Sequence, residues 1–202
     1  MIELLIRTLC DPLPEFPVDA AYLFAQTADN QAAVFSAGLE LIRQQQARQL
    51  LFTGSAACPG YPGFEAWQQE LVKRGLSRAV ISGVPNDSFP LLHTLIEATA
   101  LVRYAHQRRL TSLVVVASPF QQLRAFMTTI SVVLREYPEL QVYNRVGAAL
   151  PWHETVIHSQ GTLECQRHAL IQSELDRIER YHAQGDLAST EQVLRYLNRR
   201  DG

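Results

Sequence analysis

Between Asp19 and about Gly147, short apolar runs alternate with longer stretches in which apolar residues recur every three or four positions. The runs are Ala20 to Phe24, Leu50 to Thr53, Ala79 to Ser82, Leu113 to Ala117 and Gln141 to Tyr143. Each has the length of a strand, and Leu113-Val114-Val115-Val116 is apolar at every position, as a strand buried on both faces requires. Between them, Ala33, Val34, Ala37, Leu41 and Ile42 mark one helical face and Phe64, Trp67, Leu71 and Val72 another. Two further helices are indicated from about Pro90 to Gln107 and from Pro119 to Glu136. Strands alternating with helices build a parallel sheet covered on both sides, because right-handed crossovers lay each helix back on the sheet. The fold class predicted is α/β: a Rossmann-like three-layer α/β/α sandwich with a mostly parallel sheet of about five strands. Ligands of such sheets favour the carboxyl ends of the strands.

The ends of the chain read differently. After Pro151 no strand signal returns, and two helices are expected, about Leu163 to Gln184 and about Thr190 to Asn198. Ser189 followed by Gln192 has capping-box spacing and supports the second start. Residues 1–150 thus read as the sandwich and 151–202 as a C-terminal helical extension packed on it. The first 18 residues suit an edge strand or a short helix equally.

Composition narrows the class without naming a reaction. The 202 residues, with 47% hydrophobic and 19% charged, suit one globular core. A formal charge of −2 leaves no surplus for holding a polyanion, so nucleic acid is not expected as a main partner. Cys10, Cys58 and Cys165 lie far apart in no metal-ligand spacing and read as free thiols. The N-terminus lacks a signal-peptide pattern and no run is long enough to span a membrane, so a cytoplasmic protein is expected.

Familiar catalytic motifs are absent. Gln26-Thr27-Ala28-Asp29-Asn30 follows the first strand where a glycine-rich dinucleotide fingerprint would stand, and Gly54-Ser55-Ala56-Ala57-Cys58-Pro59-Gly60 lacks a phosphate-loop lysine. No G-x-S-x-G elbow occurs. His153-Glu154-Thr155-Val156-Ile157-His158 is one residue too long for a zinc-binding H-E-x-x-H, so both histidines read as solvated loop residues and no metal is expected. Cys58 reads as an incidental thiol, with no base assignable to make it a nucleophile.

What remains is a set of polar groups following successive strands. Gly54 and Ser55 follow the second strand, with Glu65 at the next helix start. Pro85-Asn86-Asp87-Ser88 follows the third and leads to a helix with His93, Thr94 and Glu97 on one side. Ser118-Pro119-Phe120-Gln121 follows the fourth and opens the helix carrying Arg124. Ser118, Pro119 and Gln121 have the spacing of an N-cap, a first-turn proline and a box partner, and a helix start at this edge also attracts anions. Arg124 suits an anion clamp or a surface ion pair. Glu65 suits the positive end of its helix or a catalytic carboxylate, and Glu97 is either solvent-facing or poised by partial burial as a base.

Taken in order, Asp19 entering the first strand, Thr53-Gly54-Ser55, Glu65-Ala66, Gly75, Thr94 with Glu97-Ala98, and Ala117-Ser118-Pro119-Phe120 with Arg124-Ala125 resemble the YdcF/SanA/ElyC-like bacterial domain family. The tail from Arg177 to Ser189 resembles the soluble stand-alone members. Gln121 stands where the family usually has histidine, and His93 or one of its neighbours where it has asparagine before Thr94. The resemblance implies a Rossmann-like domain of largely undefined biochemistry, linked in some relatives to the cell envelope. Two functions fit: binding, with or without chemistry, of a small anionic, nucleotide-like or envelope-related molecule by Gly54, Ser55, Thr94, Ser118, Gln121 and Arg124, with Glu65 or Glu97 as base; or a non-catalytic interaction module using the C-terminal helices. A homo-oligomer is open in either case.

Overall fold

The computed structural model describes residues 1–86, 92–158 and 162–202. The sheet has the order β3-β2-β1-β4-β5, formed by β1 (Ala20–Leu23), β2 (Leu50–Thr53), β3 (Ile81–Val84), β4 (Ser112–Ala117) and β5 (Gln141–Val146), all parallel. The register pairs Tyr22 with Leu51 on one side and with Val115 on the other, so β1 is central. This is the α/β Rossmann-like arrangement expected.

Strand alternation divides the core. Ala20, Tyr22 and Phe24 face α4 (Thr94–Arg108) and α5 (Gln122–Glu136), whereas Ala21 and Leu23 face α2 (Gln31–Arg43) and α3 (Phe64–Lys73). Trp67 anchors the second face, with ring centroids 4.8 Å from Phe35, 5.4 Å from Phe52 and 5.1 Å from Tyr61. In β4 the side chains of Leu113, Val114, Val115 and Val116 are wholly buried, each worth about 1.5–3 kcal/mol of burial.

The third strand begins at Ile81, two residues later than expected, because a 3₁₀ turn, Arg78–Val80, capped by the Ser77 hydroxyl occupies the start of the apolar run. The N-terminal ambiguity resolves as α1 (Ile2–Leu9), which packs near α5 and β5. Pro90, where the helix before β4 is expected to begin, lies outside the described residues; α4 starts at Thr94, after His93 with extended backbone.

Two corrections concern the tail. Strands do return after Pro151: β6 (Thr155–His158) and β7 (Leu163–Gln166) form an antiparallel hairpin, and α6 (Ala169–Ala183) starts only beyond it. Arg167 docks the hairpin on the loop after β1: its guanidinium donates to Asn30 Oδ1 at 3.0 Å, the Asp29 carbonyl at 3.2 Å, the Glu154 carboxylate at 2.9 Å and the Pro151 carbonyl. The Asp29 carboxylate accepts the Ile157 N–H at 2.8 Å. A buried guanidinium with this many acceptors outweighs the helical propensity of the flanking residues. The final helix, α7 (Thr190–Asp201), has the expected Ser189/Gln192 capping box.

The tail shares the main core. Ile178, Leu187, Val193, Tyr196 and Leu197 are buried in the same cluster as α4 and α5. Arg200 closes the exposed edge of β5, bonding Asp11 at 2.5 Å and the Val142 carbonyl at 2.7 Å. No helix among the described residues is long and apolar enough to cross a membrane.

Candidate functional site

A cavity of about 500 Å³ opens at the carboxyl ends of the sheet. Its base is the segment after β1, Ala25 to Thr27, and its sides are the starts of α4 and α5. Strand order reverses between β1 and β4, which leaves a crevice there that no crossover fills. Pro59 and Gly60 from the loop after β2 form one lip; His158 of β6, Arg177, Arg180 and Tyr181 of α6, and Asp186 form the opposite wall.

Glu97 is the unusual group in this cavity. It lies one turn into α4, 3% exposed, and its Oε1 accepts from the Tyr22 hydroxyl at 3.0 Å and the Ala25 N–H at 2.9 Å. Its Oε2 has no hydrogen-bond partner among the described residues. Burial makes the charged form costly and outweighs both hydrogen bonds and the field of Arg124, so the pKa is pushed up to about 7. The same cause raises the Tyr61 and Cys58 groups nearby, each raised further by the Glu97 charge. Burial and Arg124 hold His93 below its ordinary value at the lip.

Arg124 is neither a surface ion pair nor an open clamp. It is 7% exposed, its Nε donates to Glu174 of α6 at 2.5 Å, and its Nη1 donates to the Thr94 hydroxyl at 2.7 Å. Glu174, 2% exposed, also accepts from Arg177 Nη1 at 2.6 Å and lies 3.7 Å from His158 Nε2. Burial pushes the Glu174 carboxyl up, but the arginines and His158 outweigh it and bring it down to about 2. Glu174 thus ties α6 to the start of α5 through the guanidinium groups of both arginines.

Gln121 and Ser118 belong to a neutral polar chain under the cavity. Gln26 Nε2 donates to Gln121 Oε1 at 2.6 Å, Gln121 Nε2 donates to the Thr94 hydroxyl at 3.4 Å, and the Ser118 hydroxyl donates to Gln26 Oε1 at 2.8 Å. This corrects the expected cap. Regular helix begins at Gln122, and the Ser118 hydroxyl serves Gln26 while its carbonyl accepts the N–H groups of Gln121 and Gln122. The N-terminus of α5 is therefore turned into packing rather than presented as a bare anion site.

The sequence-derived residues thus divide. Thr94, Glu97, Gln121 and Arg124 line one cavity; Gly54, Ser55, Ser118 and Glu65 do not. The space over Gly54 is taken by β3, since its N–H donates to the Val84 carbonyl at 2.7 Å and an added Cβ would lie 3.2 Å from that oxygen. Ser55 is buried, paired with the Thr53 hydroxyl at 2.9 Å and the Asn86 amide at 3.3 Å. Glu65 is exposed on the first turn of α3. Asp87 and Ser88 lie outside the described residues. Asp19 is structural, its carboxylate accepting the Thr111 and Ser112 N–H groups at the opposite end of the sheet.

The chain matches no family model and no curated protein.

Histidines expected in a solvated loop separate as well. His153 is exposed, whereas His158 is 8% exposed on β6, edge-on to Phe120 with centroids 5.3 Å apart. Nothing in the spacing of His158, Glu174, Arg177, Arg180 and Asp186 ties the tail to the sheet edge. The alternation in Thr155-Val156-Ile157-His158 and the run Arg177 to Asp186 are the signals that carried them. Among the described residues, no three His, Cys, Asp or Glu side chains converge to hold a metal ion.

Proposed function

We propose that the protein binds a small anionic molecule of nucleotide-like size in this cavity and that Glu97 exchanges a proton with it. The observation that carries this reading is the pairing of opposites in one crevice: a buried carboxyl with one oxygen fixed and the other without a hydrogen-bond partner among the described residues, in a cavity also lined by the guanidinium groups of Arg124, Arg177 and Arg180. A carboxyl near neutrality suits proton transfer in either direction at physiological pH. When ionised, Oε2 takes a proton from a ligand O–H or N–H; when protonated, it returns one. The volume of about 500 Å³ is in the range of small-ligand pockets. The reading is in keeping with the resemblance to the YdcF/SanA/ElyC-like family, in which Glu97 and Arg124 correspond to motif positions.

Gln121 favours a binding-only version of the same site. It stands where that family usually carries histidine, and its amide is spent on Gln26 and Thr94, so the group supplies no proton. A separate interaction module made of the C-terminal helices has less support, because α6 forms the cavity wall and α7 the core.

A thermal-shift screen of nucleotides and sugar phosphates on wild type and Glu97→Gln tests the reading. A compound that stabilises the wild type and is turned over only by it supports proton transfer; equal stabilisation of both without turnover supports the binding-only version. Absence of any stabilising anion refutes both.

A further inference from the structure

The N-terminal helix α1 is docked on one side and apolar on another. Leu4 and Thr8 are wholly buried where the helix packs near α5, β5 and α7. The outer side stays apolar: Ile2, Leu5, Ile6 and Leu9 are 75%, 36%, 57% and 40% exposed, with Met1 next to them at 51%. Their spacing is i, i+3, i+4, i+7, one continuous stripe, and it is symmetric about the point midway between Leu5 and Ile6. Together these side chains expose on the order of 500 Å² of apolar surface, at the upper end of the largest patch on a typical monomer. No residue of α1 lines the cavity.

We propose that this stripe is the interface of a homodimer, in which α1 packs antiparallel against α1 of a second copy about a two-fold axis between Leu5 and Ile6. The symmetry of the stripe sets Ile2 against Leu9 and Leu5 against Ile6 of the second copy, as a contact of one surface with itself requires. The charges agree with that arrangement. Glu3 and Arg7 lie on the same flank of the stripe. A two-fold axis lying in the interface and crossing both helices keeps that flank on one side in both copies and reverses its direction, so Glu3 runs beside Arg7 of the second copy. Two such faces bury on the order of 1,000 Å² in all, about the least a specific interface needs and in the range of weak, reversible association. A lipid surface matches less well, because an interfacial helix carries basic residues along its polar face. The single arginine of α1 is already bonded to Asn198 at 2.7 Å and to Asp201 at 2.9 Å.

Analytical ultracentrifugation of the full chain over a wide concentration range tests this. The mean mass of the wild type is expected to rise towards twice that of one chain as concentration increases. Ile6→Glu sets two carboxylates beside the axis and should weaken association tenfold or more; Ile2→Glu, at the end of the stripe, should act in the same direction. Both side chains are exposed, so each variant keeps its fold, checked by circular dichroism. Glu3→Arg, which faces an arginine with an arginine across the interface, should weaken association several-fold, and less so at high salt. A wild type that stays monomeric at every concentration overturns the proposal, and one that is monomeric yet sediments with phosphatidylcholine or phosphatidylserine vesicles assigns the stripe to lipid instead. Dimerisation that ignores both Ile6→Glu and Ile2→Glu overturns α1 as the interface. Dimerisation that ignores Glu3→Arg alone overturns the antiparallel arrangement.

Discussion

Replacing Glu97 by glutamine should make the protein more stable, with a stability gain that depends on pH. The amide oxygen retains the place of Oε1, so the Tyr22 hydroxyl and the Ala25 N–H keep an acceptor, and no volume is lost. What disappears is the ionisation. Raising a carboxyl from its ordinary 4.5 to about 7 means that charging it in the folded protein is about 3 kcal/mol harder than in the unfolded chain. Because the folded pKa is the higher one, this penalty is absent below 4.5, grows as pH rises and is complete above about 7. The advantage of Glu97→Gln over wild type should therefore grow by about 2–3 kcal/mol between about pH 5 and about pH 8. In melting temperature that is on the order of 5–10 °C for a chain of this length. Urea unfolding followed by tryptophan fluorescence at both pH values measures it. An advantage that is the same at both pH values, or a variant less stable than wild type at the higher one, refutes the account of Glu97 as a carboxyl strained by burial.

Glu174 should behave in the opposite sense. Its folded pKa lies below the ordinary 4.5, at about 2, so its contribution is present above 4.5 and lost as pH falls through about 2. Glu174→Gln, which leaves Arg124 and Arg177 without their carboxylate, should cost about 3–5 kcal/mol in guanidinium unfolding at neutral pH, the gap to wild type closing in acid. Arg200→Ala should cost a similar amount, about 3–5 kcal/mol, since it strands Asp11 beside β5, and the double variant with Asp11→Asn should recover part of the loss in the same assay. Gly63→Ala should destabilise by about 1–3 kcal/mol: Gly63 has φ of +99°, and an added Cβ would lie 2.7 Å from the Ala57 nitrogen. Trp67→Phe should cost less than about 2 kcal/mol in thermal melting, because the lost packing is offset by removing an indole N–H that is buried without a partner among the described residues.

The sheet was legible because its signal is local. Leu113 to Val116 leaves no side for water, and Leu50 to Thr53 coincides with β2 at both ends. The hairpin escaped for a physical reason: Thr155 and Ile157 are exposed, Val156 and His158 buried, and four alternating residues give little periodicity. Its position is fixed by Arg167, whose acceptors Asn30 and Asp29 are more than a hundred residues away in the chain. The site shows the same division. Glu97 could be singled out as an acid among apolar helix neighbours, but its burial depends on Tyr22 and Ala25. For Arg124 the sequence offered an anion or a surface partner, and the structure supplied a third possibility, a carboxylate from the tail. Gly54 illustrates the reverse: a glycine placed for close approach is needed, but what approaches is the backbone of β3.

Because Arg177, Arg180 and Tyr181 lie beyond all five strands of the sheet, the cavity is completed by chain that leaves the ribosome after the sheet has been made. The wall formed by α6 is in place only when α6 is docked, with Glu174 on Arg124. A ligand held between α4 and α6 works as a clasp on that step, opposing the local opening of α6 in proportion to its occupancy. Amide exchange in α6 should slow on saturation while exchange in α2 and α3, on the far side of the sheet, stays unchanged, so the tail would report occupancy of the site from within the protein itself.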